Sequence, residues 1–158
     1  MPANPTRITE VPSPDPDDLS LGFLVGRRIT AIDVSTAPNN WVFSFDGGGT
    51  LAVESLWRLV SEGRIEVTSD DHQQRFGLPT LVDASAHALQ TIDAKPIRGA
   101  HFDTTTGDLT IEFVNTLRLE AIVTSGGYEN WAVSKPDGTQ LIAVGGGRVA
   151  FFRSSAAG

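Results

Sequence analysis

Two carboxylates followed directly by an imidazole, Asp70-Asp71-His72, have the clearest capacity for chemistry in this sequence. Groups of this kind hold a divalent cation or exchange protons with water near neutral pH. Neighbours on one loop seldom converge on a single ion without ligands from elsewhere, so a solvated turn is the favoured reading and no metal site is assigned. Glu54 is a second candidate, because it stands where the second half of the chain carries Ile122. Arg58 is spaced to pair with it across Ser55-Leu56-Trp57, and a structural ion pair is the simpler account of the two. Tyr128-Glu129-Asn130-Trp131 is a third, with rings supplying flat apolar area and Glu129 and Asn130 supplying direction, the materials of a ligand shelf. The simpler alternative makes Trp131 a core anchor with Tyr128 packed beside it, and lets Glu129 or Asn130 tie the Gly126-Gly127 turn.

Other chemistries are disfavoured by what the chain lacks. It has no Cys, which excludes disulfides, zinc-thiolate sites and thiol catalysis. No Gly-x-Ser-x-Gly occurs, and the glycine triplets at 47–49 and 145–147 neither open a helix nor precede Lys-Ser or Lys-Thr. They read as turns or bulges. His87 and His101 have no acidic neighbour at ligand spacing. Neither a catalytic residue nor a cofactor is assigned. A net charge of −7 disfavours nucleic acid, which needs clustered cations, and favours a basic protein partner. No apolar run of about 18 residues and no charged-then-apolar leader is present, so the expectation is a cytoplasmic protein without membrane contact.

These residues must be placed by strands. Trp41, Phe43 and Phe45 recur with period two, as do Leu51 and Val53, and Trp57 to Val60 and Ile65 to Thr68 flank Ser61-Glu62-Gly63-Arg64, a hairpin signal. The second half repeats the plan. An offset of 70 sets Ile32-Asp33 on Phe102-Asp103, an offset of 68 sets Phe43, Phe45, Leu51 and Val53 on Ile111, Phe113, Leu119 and Ala121, and Trp57 finds a counterpart in Trp131. The pattern predicts a mainly β protein of two tandem repeats, about 26–70 and 96–152, each of four to five antiparallel strands, curled into a barrel or packed as a sandwich. One connecting helix is expected near 80–91, with Thr80 as its cap and Asp83 three residues on. Residues 1–20, rich in Pro and Asp, read as a flexible arm, and 21–158 as a single domain. Glu112, Arg118 and Glu120 are expected on solvent faces as a weak charge ladder. Exposed strand edges allow a homodimer.

The ending Gly-Tyr-Glu-Asn-Trp, the Pro136-Asp137-Gly138 turn, then Leu-Ile-Ala-Val-Gly-Gly-Gly with an aromatic finish, resembles a family of small uncharacterised bacterial proteins. Val53-Glu54-Ser55-Leu56-Trp57-Arg58 and Thr68-Ser69-Asp70-Asp71-His72 resemble its first half, so the likeness covers most of Arg28 to Phe152. The resemblance implies an immunity-like role against a bacterial toxin and supplies no catalytic residue. Two function classes follow. One is a non-enzymatic interaction protein that binds a basic partner. The other is a small-molecule binder or weak hydrolase with a site between the repeats, built from Glu54, Arg58, Asp70, His72 and Glu129, beside Tyr128.

Overall fold

In Trp41-Val42-Phe43-Ser44-Phe45 the three rings are buried on one face while Val42 and Ser44 stay half-exposed, and this alternation defines strand after strand. The computed structural model describes residues 7–10, 19–36 and 39–155. Its elements are β1 (Arg7–Glu10), β2 (Ile29–Thr36), β3 (Asn39–Phe45), β4 (Thr50–Val53), β5 (Leu56–Ser61), β6 (Arg64–Thr68), α1 (Ala84–Ile92), β7 (Ile97–Phe102), β8 (Leu109–Phe113), β9 (Leu117–Ile122), β10 (Trp131–Ser134), β11 (Gln140–Gly145) and β12 (Arg148–Ser155).

The strands form two antiparallel sheets, one of seven in the order β1-β12-β11-β10-β4-β3-β2 and one of five in the order β6-β5-β9-β8-β7. Both sheets keep free edges, so of the barrel and the sandwich the second is adopted. Each half of the chain contributes to both sheets. β2, β3 and β4 lie in the larger sheet, and the chain then crosses at Glu54-Ser55 to place β5 and β6 in the smaller one. β7, β8 and β9 lie in the smaller sheet, and the chain crosses back to add β10 and β11 beside β4.

The two halves match rung for rung. Phe43 faces Leu51 as Ile111 faces Leu119, and Ile29 faces Phe45 as Ile97 faces Phe113, all at an offset of 68 residues. Trp57 faces Ala121 as Trp131 faces Val53, the tryptophans 74 residues apart and their partners 68, and Leu59 faces Val67 as Val133 faces Leu141, both at an offset of 74. The offset of 70 expected for the first strand is corrected by this ladder, which pairs Ile32 with Phe43 and Ala100 with Ile111. A slip of two residues leaves side-chain alternation unchanged, so period-two patterns cannot detect it. The bulge between Ile29 and Ala31 also recurs between Ile97 and Gly99.

Side chains from both sheets make one core. Trp41 of the larger sheet meets Trp57 of the smaller one edge to face at 5.2 Å between ring centroids, and Phe43 meets Trp57 at 5.5 Å. The helix lies against β2 and β6, one edge strand from each sheet, and buries Ala84, Ala88 and Ile92 there. Four-residue spacing puts those three on one stripe.

The helix starts later than its sequence predicts. Asp83 is the cap, accepting the Ala86 amide at 3.0 Å, and Thr80 belongs to the preceding loop. The backbone around it is already committed: Gln73 N–H donates to the Val82 carbonyl and Val82 N–H to the Gln74 carbonyl, each at 2.8 Å. Within the stretch read as an arm, four residues form a strand. Arg7–Glu10 pairs with β12, from Arg7 opposite Ser155 to Glu10 opposite Phe152, and Leu19 packs against the core. Composition counts the apolar side chains that a segment can bury, whereas joining a sheet edge requires only main-chain donors and acceptors. Residues 1–6 and 11–18, also assigned to the arm, lie outside the described residues, as do 156–158 of the predicted domain.

Candidate functional site

The crossing between β4 and β5 builds one wall of a groove. Val53 is fully buried, so alternation turns Glu54 outward, and the amides of Glu54 and Ser55 both donate to the Asn130 carbonyl at 2.8 and 3.3 Å. The opposite wall is a single turn of 3-10 helix, Ser69–Asp71, that follows β6. Its capping is complete: Thr68 Oγ1 accepts the Asp70 amide at 3.2 Å and Asp71 Oδ2 accepts the Thr68 amide at 2.9 Å. Ser69 Oγ accepts the Trp57 amide at 3.1 Å and fastens the turn to β5. Between these walls lies a cleft of about 360 Å³ lined by Trp41, Glu54, Ser55, Leu56, Ser69, Asp70 and Thr124. Glu54 and Asp70 are exposed, and neither forms an ion pair with another described residue.

The structure thus separates the members of Asp70-Asp71-His72. Asp70 faces the groove and Asp71 closes its own turn. His72 stands behind the groove, where Nδ1 accepts the Ala84 amide at 3.1 Å and the ring meets Trp41 edge-on at 5.0 Å. Its ring therefore joins the helix N-terminus to the groove wall. Among the described residues no group of three His, Asp or Glu is arranged to hold a metal ion.

Arg58 does not pair with Glu54. Its Nε donates to Glu120 Oε2 at 2.8 Å, and Arg118 Nε donates to Glu120 Oε1. Arg58 and Glu120 are direct partners across β5 and β9, whereas Glu54 lies beyond the end of β4 in the other sheet. The charge ladder expected on this face is accordingly centred on a buried group: Glu120 is only 8% exposed. In the larger sheet the matching rung is Ala52 opposite Ala132. The sequence places Arg118 beside Glu120, but no single segment announces the triad, because its other partner, Arg58, lies 62 positions away.

Burial pushes the Glu120 carboxyl up, but hydrogen bonds and charge from Arg118 and Arg58 outweigh it and hold the group below the usual glutamate range. A depressed folded value stabilises the protein above the unfolded one, and that contribution disappears as pH falls through the folded value. Glu120→Gln is expected to lower stability at neutral pH by about 1 kcal/mol, a small cost because both guanidiniums remain partly hydrated. As pH falls through the depressed folded value the difference from the parent should shrink. Urea titrations at pH 7 and pH 3 check this, and a pH-independent gap would contradict it.

Tyr128 and Glu129 do not complete a shelf with Trp131. Tyr128 is 81% exposed, on a turn where the Gly127 and Tyr128 amides donate to Ser125 Oγ. The packing of Tyr128 beside Trp131 in the simpler alternative is therefore corrected, while its Asn130 tie is present. Asn130 Oδ1 accepts the Thr124 amide at 2.9 Å and its Nδ2 donates to the Tyr128 carbonyl at 2.9 Å. Glu129 and Glu54 share only a recess of about 20 Å³, room for roughly one water molecule. Trp131 is buried, with Nε1 donating to the Gly107 carbonyl at 2.8 Å.

Sequence reasoning found Glu54 and Asp70 but missed the surface that joins them, made of Trp41, Ser55, Leu56, Ser69 and Thr124. It also missed the loop beyond His72, where Phe76, Leu78 and Leu81 are 67%, 50% and 48% exposed. Large apolar residues beside Gly77 and Pro79 are the signal that was available.

A two-sheet antiparallel fold with crossed halves and an acidic groove at one crossing defines the class of this protein. The chain belongs to DUF6188, a family of unknown function whose model matches residues 20–153. Searches of curated proteins and of solved structures returned no match.

Proposed function

We propose that the protein is a non-enzymatic interaction protein that receives a basic segment of a partner protein in the groove between Glu54 and Asp70. The observation that carries this reading is the chemistry of the groove lining, which offers two carboxylates, three hydroxyls and an aromatic ring with no Arg, Lys or His among them. A guanidinium or ammonium entering there meets acceptors from both walls and no repelling charge. Charge-assisted hydrogen bonds of that kind are about twice as strong as neutral ones. The net charge of −7 adds attraction at longer range and speeds encounter with a basic protein.

The matching ladders support a tandem duplication, with Glu54 in one copy at the place of Ile122 in the other. An immunity-like role, in which the chain covers a basic surface of a toxin, is one form of this function. A small cationic molecule is the second reading, favoured by a groove volume near the lower bound of about 300 Å³ for ligand sites.

The test is affinity capture from the source cell with the full chain and with Glu54→Gln/Asp70→Asn, at about 50 and 500 mM salt. A protein retained by the parent at low salt only, and not by the double variant, is the expected result. Retention of the same proteins by both chains would contradict the proposal.

A further inference from the structure

The segment between His72 and α1 combines three properties that surface loops rarely combine. It exposes large apolar side chains, Phe76, Leu78 and Leu81. Its main chain is braced, with the Gln73 and Val82 bonds closing its base, Leu78 N–H donating to the Arg75 carbonyl at 2.7 Å and Arg75 Nη1 donating to the Pro79 carbonyl at 3.1 Å. It also holds two residues other than glycine in the left-handed region, Gln73 at φ 67° and Phe76 at φ 49°. A bulky side chain at positive φ is strained, and an exposed phenyl ring gains nothing by burial in the free chain. A braced loop of this kind loses little entropy when it docks, and an aromatic ring at its tip is the residue type that anchors interfaces.

We propose that this loop docks into the Glu54–Asp70 groove of a second copy of the chain, and that the two copies exchange loops reciprocally. Two chains of net charge −7 repel at long range, and the attraction is local to the groove. Arg75 is the only charged residue from 73 to 82, while the groove carries two carboxylates and no cation. Arg75 pairs with neither carboxylate of its own groove and turns instead to Pro79. Position selects the symmetry. Asp70 lines the groove and Gln73, three residues further on, opens the loop, so finger and receptor are held close together by the chain. When the two halves of a contact lie close together, a reciprocal exchange about a two-fold axis satisfies both at once and closes at a dimer. Phe76 then lies against the half-exposed Leu56 while Arg75 reaches Glu54 and Asp70. The dimer takes the groove proposed for the basic partner, so the two occupants compete, but neither proposal requires the other.

Sedimentation equilibrium of the full chain tests the dimer. The parent is expected to associate to twice its mass of 16.8 kDa, and Phe76→Ser and Arg75→Glu should each weaken association about tenfold or more. Adding Glu54→Arg and Asp70→Arg to Arg75→Glu reverses both charges in one chain and should restore the dimer. Circular dichroism melts confirm that each variant is folded, and the charge-reversed chain supplies the decision if a single variant is not. A parent that is monomeric at about 100 μM, a Phe76→Ser chain that associates normally, or charge reversal without restoration would each overturn the inference. Any of these results leaves the basic-partner reading to its own salt-dependent test.

Discussion

Gly147→Ala is expected to destabilise the fold by more than about 3 kcal/mol, whereas Gly146→Ala, one residue earlier, should cost only about 1–2 kcal/mol. Both residues have positive φ, 83° and 63°, so both variants bear the strain of a left-handed backbone. Their surroundings differ. A Cβ on Gly147 would overlap the Thr105 carbonyl, which is main chain and cannot swing aside, while a Cβ on Gly146 would find its nearest neighbour at 3.6 Å. The β11–β12 turn therefore rests directly on the β7–β8 loop of the opposite sheet. That loop also presents the Gly107 carbonyl to Trp131, so a shift at Gly147 should disturb the tryptophan anchor. Urea unfolding of the two variants, followed by near-ultraviolet circular dichroism, checks the difference, and equal costs would contradict the contact.

The second large effect separates the two matching tryptophans. Trp131→Phe is expected to cost about 3 kcal/mol and Trp57→Phe about 1–2 kcal/mol less. Each substitution removes similar volume from a fully packed site. Trp131 also loses its bond to Gly107 and strands that carbonyl, whereas Trp57 Nε1 is buried without a hydrogen-bond partner. Removing an unpaired buried donor relieves a desolvation cost and offsets part of the cavity. Equilibrium unfolding of both variants measures the gap, and a larger loss at Trp57 would contradict this assignment of the two indoles.

Period-two burial made the strands readable because each sheet hides one face, and Trp41, Phe43, Phe45, Leu51 and Val53 mark that face without knowledge of their partners. Register was beyond the same signal, since Ile32 matches Ala100 or Phe102 equally well when only alternation is counted. Long-range partners were also hidden. Arg58 has Glu54 four residues away and Glu120 across the sheet, and only the crossing of the two halves decides in favour of Glu120. The site was half readable for the same reason. Its carboxylates stand out by type, but the groove joining Glu54 to Asp70 exists because β5 leaves the sheet of β4 and carries the Ser69–Asp71 turn with it. His72 has the composition of a catalytic group, yet its role is fixed by an amide twelve positions later.

If the groove holds a basic segment, calorimetric titration of a partner captured by the parent chain should distinguish that chain from Glu54→Gln/Asp70→Asn. The double variant is expected to bind at least about tenfold more weakly, with a shallower dependence on salt because two charge pairs are gone. Equal affinity and equal salt dependence in the two chains would contradict it.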